Sequence, residues 1–456
     1  MIHKFKHNDL YLVHDVNSGA VHIIDEMVFD LLDHYPKLKK QEVVNKLNTK
    51  YEEEQMLQAM EELDQLTESS QLMSDDQYLN NSSFTMKQHV IKAMCLHVAH
   101  DCNIRCKYCF ASQGDFEGVR ALMSLETGKK ALDFLIAHSG NRRNLEVDFF
   151  GGEPLMNFDV VKELVTYGRE ISKDANKNFR FTLTTNGVLL DDETIEYVNE
   201  NMENVVLSID GRQDVNDFMR YTINDKGTYE TIVPKFRKLI NSRGDKSYYV
   251  RGTFTRFNLD FSDDVIHLAD LGFKNTSVEP VVAEPHHDYA LREEDLDKLK
   301  SEYDRLAEVM LERHNTEEAF NFFHFSIDLN QGPCVIKRLV GCGAGAEYVA
   351  VTPEGDIYPC HQFVGNEDFK MGSVLVEEPI EKPDIVKSFA DAHVYNKPAC
   401  KDCWARFYCS GGCHANAYNF NNDIHKPYDI GCELEKKRIE CSLYIQAKLM
   451  LGASND

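Results

Sequence analysis

The cysteines constrain this chain more than any other feature. There are 13, an odd count: Cys95, a tight trio at Cys102, Cys106 and Cys109, and nine more spread from Cys334 to Cys441. The opening Met1-Ile2-His3-Lys4-Phe5-Lys6-His7 alternates polar and apolar residues, where an export signal would need an apolar core. A disulfide scaffold therefore does not fit, and a cytoplasmic protein whose thiols bind metal or iron-sulfur clusters is expected. Few long apolar runs separate the later cysteines. Burial alone would leave that region marginal, so metal bonds must add folding energy there.

Charge narrows the partners. With 75 acidic against 50 basic side chains the net charge is −25, which disfavours nucleic-acid phosphates and anionic membranes. No run is apolar enough to suggest a membrane span. Small molecules and peptides remain. Residues 1–85 hold no cysteine and end in a polar stretch, Ser74 to Ser83. Tyr11 to Val16 and Ala20 to Ile24 alternate around the turn Asn17-Ser18-Gly19, which predicts a β-hairpin. Helical spacing follows at Met27, Leu31 and Leu32, at Val43, Val44 and Leu47, and at Met56, Met60, Leu63 and Leu66. Such a winged-helix-like domain often binds DNA, but this one carries 7 basic against 16 acidic residues. A peptide added as a strand to the hairpin edge suits it better.

Residues 86–310 alternate strand-like and helical runs. Six strands are predicted: 93–99, 145–150, 179–185, 205–209, 248–255 and 277–282. The expected class is α/β, a partial (β/α)6 TIM-like barrel with chemistry at the strands' C-terminal ends. The short motifs fall at those ends: Cys102 onward, Gly151-Gly152-Glu153-Pro154, Thr184-Thr185-Asn186-Gly187 and Ser208-Ile209-Asp210-Gly211. A helix is expected in Leu291 to Arg313, then the cysteine-rich region of residues 311–456. The trio's spacing can grip three corners of a four-iron cluster and leave one iron open. The alternative is zinc completed by His97 or His100.

Cys102-x3-Cys106-x-Tyr108-Cys109 resembles the signature of the radical S-adenosylmethionine (SAM) enzymes. That resemblance implies that SAM chelates the open iron, that an electron from the cluster breaks the bond to its 5′ carbon, and that the resulting radical takes a hydrogen atom from the substrate; no other catalytic group is implied. It also implies that Gly151 and Gly152 let the backbone approach SAM with Glu153 near its amino group, that Ser208 and Asp210 hydrogen-bond its ribose or carboxylate, that Asn186 lies at the equivalent third-strand end, and that Arg220 pairs with the SAM carboxylate. Tyr108 either supports the adenine or packs the loop.

The later array, Cys342-x12-Gly355-x4-Cys360, Cys400-x2-Cys403-x5-Cys409-x3-Cys413 and Cys432, has too many ligands for one ion, although a zinc ribbon could use Cys400 to Cys413. It resembles the SPASM domain of peptide-modifying radical SAM enzymes. The resemblance implies auxiliary cluster I on Cys342, Cys360 and Cys413 and auxiliary cluster II on Cys400, Cys403, Cys409 and Cys432, three [4Fe-4S] clusters in all. Cys334 either closes cluster I or leaves that iron to a substrate cysteine. Cys95 reads as a core residue, and Cys441, on a terminal helix, has no assigned role.

The three-domain order resembles maturases of ribosomally made peptides, most of all those paired with short cysteine-rich (SCIFF) precursors, in which a cysteine sulfur is joined to carbon. The reading is thioether formation on a precursor whose leader the N-terminal domain holds, with an electron donor such as a flavodoxin or ferredoxin. Rivals are sulfatase-maturing enzymes, which usually lack the first domain, maturases that form carbon-carbon bonds or decarboxylate, and a non-catalytic winged-helix regulator, which would need a basic recognition helix.

Overall fold

The computed structural model describes residues 1–79, 90–327, 329 and 335–453. The expected domain limit at 85 and Cys334 lie outside these residues.

The chain opens with an antiparallel sheet in the order β1 (Ile2–His7), β2 (Leu10–Asp15), β3 (Val21–Ile24). The expected hairpin is β2–β3; β1 is an addition. Its inward side carries His3, Phe5 and His7, and the two histidines hide its apolar alternation from a sequence reading. Helices Glu26–Leu31, Lys40–Leu47 and Glu53–Glu68 follow, the first capped by Asp25, whose side chain accepts from Val28 N. They close a small core on Leu31, Val43, Val44, Met56 and Met60.

The barrel region supplies β4 (Ala93–His100), β5 (Ile104–Cys106), β6 (Ala121–Leu122), β7 (Asn144–Gly151), β8 (Asn178–Thr185), β9 (Asn204–Ser208), β10 (Arg220–Thr222), β11 (Ser247–Phe254) and β12 (Asn275–Pro280). All six expected strands are present as β4, β7, β8, β9, β11 and β12, parallel neighbours in that order. Along them one row of side chains, including Val147, Phe149, Phe181, Leu183, Val205 and Leu207, is fully buried. The alternate row, with Asp148, Phe150, Thr184 and Ser208, is half-buried on the opposite face, as the two-residue period of a strand requires. Large apolar area against the helices holds the sheet; the other face is left for polar chemistry.

Among the described residues the sheet does not close on itself. At one edge β12 pairs with β13 (Asn321–Phe322); at the other β4 pairs in parallel with β14 (Tyr348–Val351), which continues antiparallel into β15 (Asp356–Tyr358) and β16 (Gly372–Ser373). The cysteine-rich region is thus stitched into the barrel's own sheet. Helix Asp429–Ala453 packs along helix Leu296–Arg313 and against β1. There His7 stacks on Tyr444 with centroids 4.0 Å apart, and His3 stacks on Trp404 at 3.6 Å. Among the described residues no helix is long and apolar enough to cross a membrane.

Candidate functional site

The trio's loop leaves β4 at His100. Asp101 caps it, its Oδ1 accepting from Cys102 N at 2.8 Å, and β5 pairs antiparallel with β10 so that Cys106 lies opposite Arg220. The loop sits directly on the end of β7. A Cβ on Gly152 would stand 2.1 Å from Asp101 O, one on Gly151 (φ +126°) 2.2 Å from Ala99 O, and one on Gly114 2.8 Å from Cys102 Cβ. Glycine is needed at these points for the cysteine loop to approach the strand end. Cys102, Cys106, Tyr108, Cys109, Gly151, Gly152, Asn186, Ser208 and Arg220 line one cavity with Phe110, Gln113, Gly114, Phe150 and Thr184.

Two predicted residues stand outside that lining. Glu153 is 1% exposed, and its carboxylate accepts from Leu155 N (3.0 Å), Thr185 Oγ1 (2.7 Å) and Asn186 N (2.7 Å), tying the ends of β7 and β8 together. Burial raises its pKa to about 7 against these donors. Asp210 is fully buried and accepts from Thr253 N at 3.0 Å and from the Tyr108 hydroxyl at 2.7 Å. Its carboxyl is held above the usual range by burial, opposed by Arg220. The Tyr108 hydroxyl in turn accepts from Arg220 Nη1 at 3.0 Å, while Arg220 Nε is buried without a partner. An orphaned guanidinium N–H beside the thiols is a ready donor for a carboxylate ligand. Asn186 Nδ2 donates to Asn103 Oδ1 at 2.8 Å and lies 3.7 Å from Cys102 Sγ.

Burial pushes the thiols up, Cys102 to about 11 and Cys106 to about 12. Thiols this reluctant to ionise alone become ligands when a cation replaces the proton. His97 and His100 pair with each other, Nδ1 to Nε2 at 3.1 Å, and stack on Phe116. In the C-terminal region the charges of Cys342 and Cys413 act on Cys360, and those of Cys432, Cys400 and Cys403 act on Cys409. Burial raises Cys360, Cys409 and Cys413, and lifts Cys432 to about 11. Cys95 is buried in β4 beside Ala350 and Tyr358, and Cys441 is buried against Asp304.

Spacing bears on the metal. Tetrahedral zinc with sulfur at about 2.3 Å needs sulfurs about 3.8 Å apart. Among the described residues only His7, Asp304 and Cys441 bring three ligand atoms within 4.8 Å of one another; no trio from either cysteine group does. Wider thiols suit a cluster in which each sulfur holds its own iron.

Sequence reasoning passed over Asn103, Gly114 and Asp148, and named Thr184 only as part of a strand-end motif. Asp148 accepts from Thr184 Oγ1 at 3.1 Å, and burial raises it to about 7. Its only trace in the sequence is a carboxylate on the polar row of a predicted barrel strand.

Comparison with known proteins agrees with this geometry. Residues 96–260 match the radical SAM superfamily and residues 342–404 match the SPASM iron-sulfur cluster-binding domain. The cysteine-type anaerobic sulfatase-maturating enzyme of Clostridium novyi is 25% identical over 75% of this chain and 92% of its own length. The solved structure of native anSMEcpe with bound AdoMet superposes with a TM-score of 0.65 at 19% identity, covering 80% of this chain and 100% of that one. Streptococcus suis SuiB bound to its precursor peptide SuiA gives 0.53 at 15% identity, covering 94% and 98%. The matched domains imply [4Fe-4S] clusters and SAM. The residues present fit both: thiols too far apart for one ion, glycines that bring the cysteine loop to the strand ends, and an unpartnered Arg220 N–H at the cavity. Residues 96–260 thus form a radical SAM domain, and residues 342–404 a SPASM iron-sulfur cluster-binding domain.

Proposed function

We propose that this protein installs thioether cross-links in a ribosomally made, cysteine-rich precursor peptide, using three [4Fe-4S] clusters and SAM. The observation that carries the reading is the N-terminal domain. It is a small sheet docked through β1 on helix Asp429–Ala453, which leaves β3 as an edge strand with Ile23 41% exposed. An edge of this kind takes a peptide as an added strand. Support also comes from coverage: SuiB, solved with its precursor, spans 94% of this chain, whereas the anSMEcpe structure leaves a fifth unmatched.

Cys102, Cys106 and Cys109 would hold the first cluster with one iron open. Bound there, cluster and SAM supply a carbon-centred radical able to take a hydrogen atom from the peptide. Arg220, aligned by Tyr108 and Asp210, presents N–H donors to the SAM carboxylate, and Asn186 and Ser208 supply polar contacts along the same wall. Cys342, Cys360 and Cys413 would hold one auxiliary cluster, with Cys334 or a substrate thiol as fourth ligand, and Cys400, Cys403, Cys409 and Cys432 the other. Joining sulfur to carbon releases one electron, which an auxiliary cluster can accept; a flavodoxin or ferredoxin would supply the reducing electrons.

The test is anaerobic reconstitution with SAM, reductant and a short cysteine-rich peptide encoded beside the gene. The peptide should lose two hydrogens per bond, in a form resistant to thiol reductants, and a Cys102, Cys106, Cys109 triple Ala variant should give neither this product nor 5′-deoxyadenosine. The likeness to sulfatase-maturating enzymes favours a second reading, oxidation of a sulfatase's own residue. An unchanged precursor together with a modified sulfatase peptide would establish it.

A further inference from the structure

The cysteine-rich region buries a lysine that no carboxylate neutralises. Lys397 is fully buried, and the acceptor its Nζ meets is a backbone carbonyl and not a carboxylate. A buried ammonium without a counter-ion costs several kcal/mol, so something else must compensate it. Its surroundings name the candidates. Lys397 Nζ donates to Gly411 O at 2.8 Å, and its own carbonyl accepts from Cys400 N at 2.9 Å. Gly411 lies in the link Cys409-Ser410-Gly411-Gly412-Cys413, the one short segment joining the two sets of thiols. The side chain is therefore pinned at the seam between the sets. By contrast Lys436, near Cys403 and Cys432, is already paired with Glu433 at 2.9 Å.

We propose that Lys397 is a fixed cation shared by the two auxiliary cluster sites, raising the reduction potential of both and so favouring their role as electron acceptors. The proposal rests on the reading that these thiols hold two four-iron clusters. Four thiolates around such a cluster leave it anionic, and reduction adds a further negative charge in a medium of low dielectric. A buried cation stabilises the reduced form more than the oxidised one. One lysine at the seam would act on both clusters, where a surface charge would act weakly on either.

The experiment is a potentiometric titration followed by electron paramagnetic resonance on the reconstituted full chain, in the Cys102, Cys106, Cys109 triple Ala background so that only auxiliary clusters report. Lys397→Met, close in volume and uncharged, should move both midpoints to more negative values by about tenfold in the reduction equilibrium, roughly 59 mV for a one-electron couple. Lys397→Arg should stay near wild type, and Lys436→Met should move at most the potential of the cluster beside it. Unshifted midpoints in Lys397→Met with full iron content would overturn the proposal. Should that variant lose its iron, Lys397→Arg decides: retained iron and potentials support the cation, whereas loss of iron there too leaves Lys397 a packing role only. About eight irons per chain in this background shows that both clusters are present. About four, or zinc, would defeat the two-cluster reading itself, an outcome separate from failure of the lysine's role.

Discussion

At Tyr108 a single hydroxyl donates to Asp210 and accepts from Arg220, so the aromatic residue of the cysteine motif aligns the guanidinium that faces the cavity. Arg220→Lys keeps the charge but removes the fork, and SAM should bind at least tenfold more weakly, about 1.4 kcal/mol, by equilibrium dialysis with the reconstituted protein. Unchanged affinity would show that Arg220 does not reach SAM. Asp148 gives a second residue-scale prediction. Burial raises its pKa from 3.8 to about 7, opposed by the Thr184 hydroxyl and Arg251. The fold thus favours the protonated acid, and this stabilising contribution is complete below pH 3.8 and lost as pH rises through about 7. Asp148→Asn should therefore match wild type in Tm at the acid end of the stable range and exceed it by several degrees at pH 8. An equal difference at both pH values would refute the assignment. Why the cysteine trio stands out in the sequence, and the bonds of Glu153 to its neighbouring strand ends do not, follows from the same chemistry. Thiols at a fixed short spacing have few structural uses, whereas a carboxylate at a strand end serves a ligand or its own backbone equally well. Here Glu153 binds the ends of β7 and β8.

Elements were legible where one period governed them. The six barrel strands emerge from alternation because the helix-facing row is uniformly apolar, Val147 and Phe149 on β7 or Phe181 and Leu183 on β8. β1 and β14 to β16 were not, since they are short or carry histidines, and their pairing is decided by partners far away in sequence; β14 adds to β4 across some 250 residues. Docking of the N-terminal sheet is likewise tertiary. Arg406, 5% exposed, reaches Asn17 Oδ1 at 2.7 Å and Asp76 Oδ2 at 2.9 Å. Elsewhere in the docking of β1, His7, Asp304 and Cys441 come together, and Lys437 Nζ, 2.5 Å from Asp304, supplies positive charge there. Arg406→Ala takes the guanidinium from a largely buried Asp76, which keeps the Tyr395 hydroxyl as a donor, a loss of about 2 kcal/mol. Hydrogen exchange should accelerate through residues 1–79 while β7 and β8 keep their protection. Uniform acceleration would mean instead that the domain and the barrel open as one unit.

Across the whole molecule two surfaces must engage one flexible substrate: the edge of β3 and the cavity at the strand ends. The docking of β1 and the shared sheet of barrel and cysteine-rich region fix both surfaces in one body. On the proposed reading, a leader bound at β3 turns delivery of the core peptide into an intramolecular step, with an effective concentration in the millimolar range for a short tether. Ile23, 41% exposed on that edge, is the apolar anchor an added strand would cover. Ile23→Lys should weaken precursor binding tenfold or more, since a buried isoleucine contributes about 1.5–3 kcal/mol. A core peptide lacking its leader should lose 10²-fold or more in kcat/KM, by the usual size of tethering effects, and the leader supplied as a separate chain should not restore it. SAM cleavage without peptide should be the same in Ile23→Lys and wild type, because the cavity wall from Cys102 to Arg220 takes nothing from β3. Equal turnover of full-length and leaderless peptide would separate the N-terminal sheet from substrate delivery and leave it a purely structural brace on helix Asp429–Ala453.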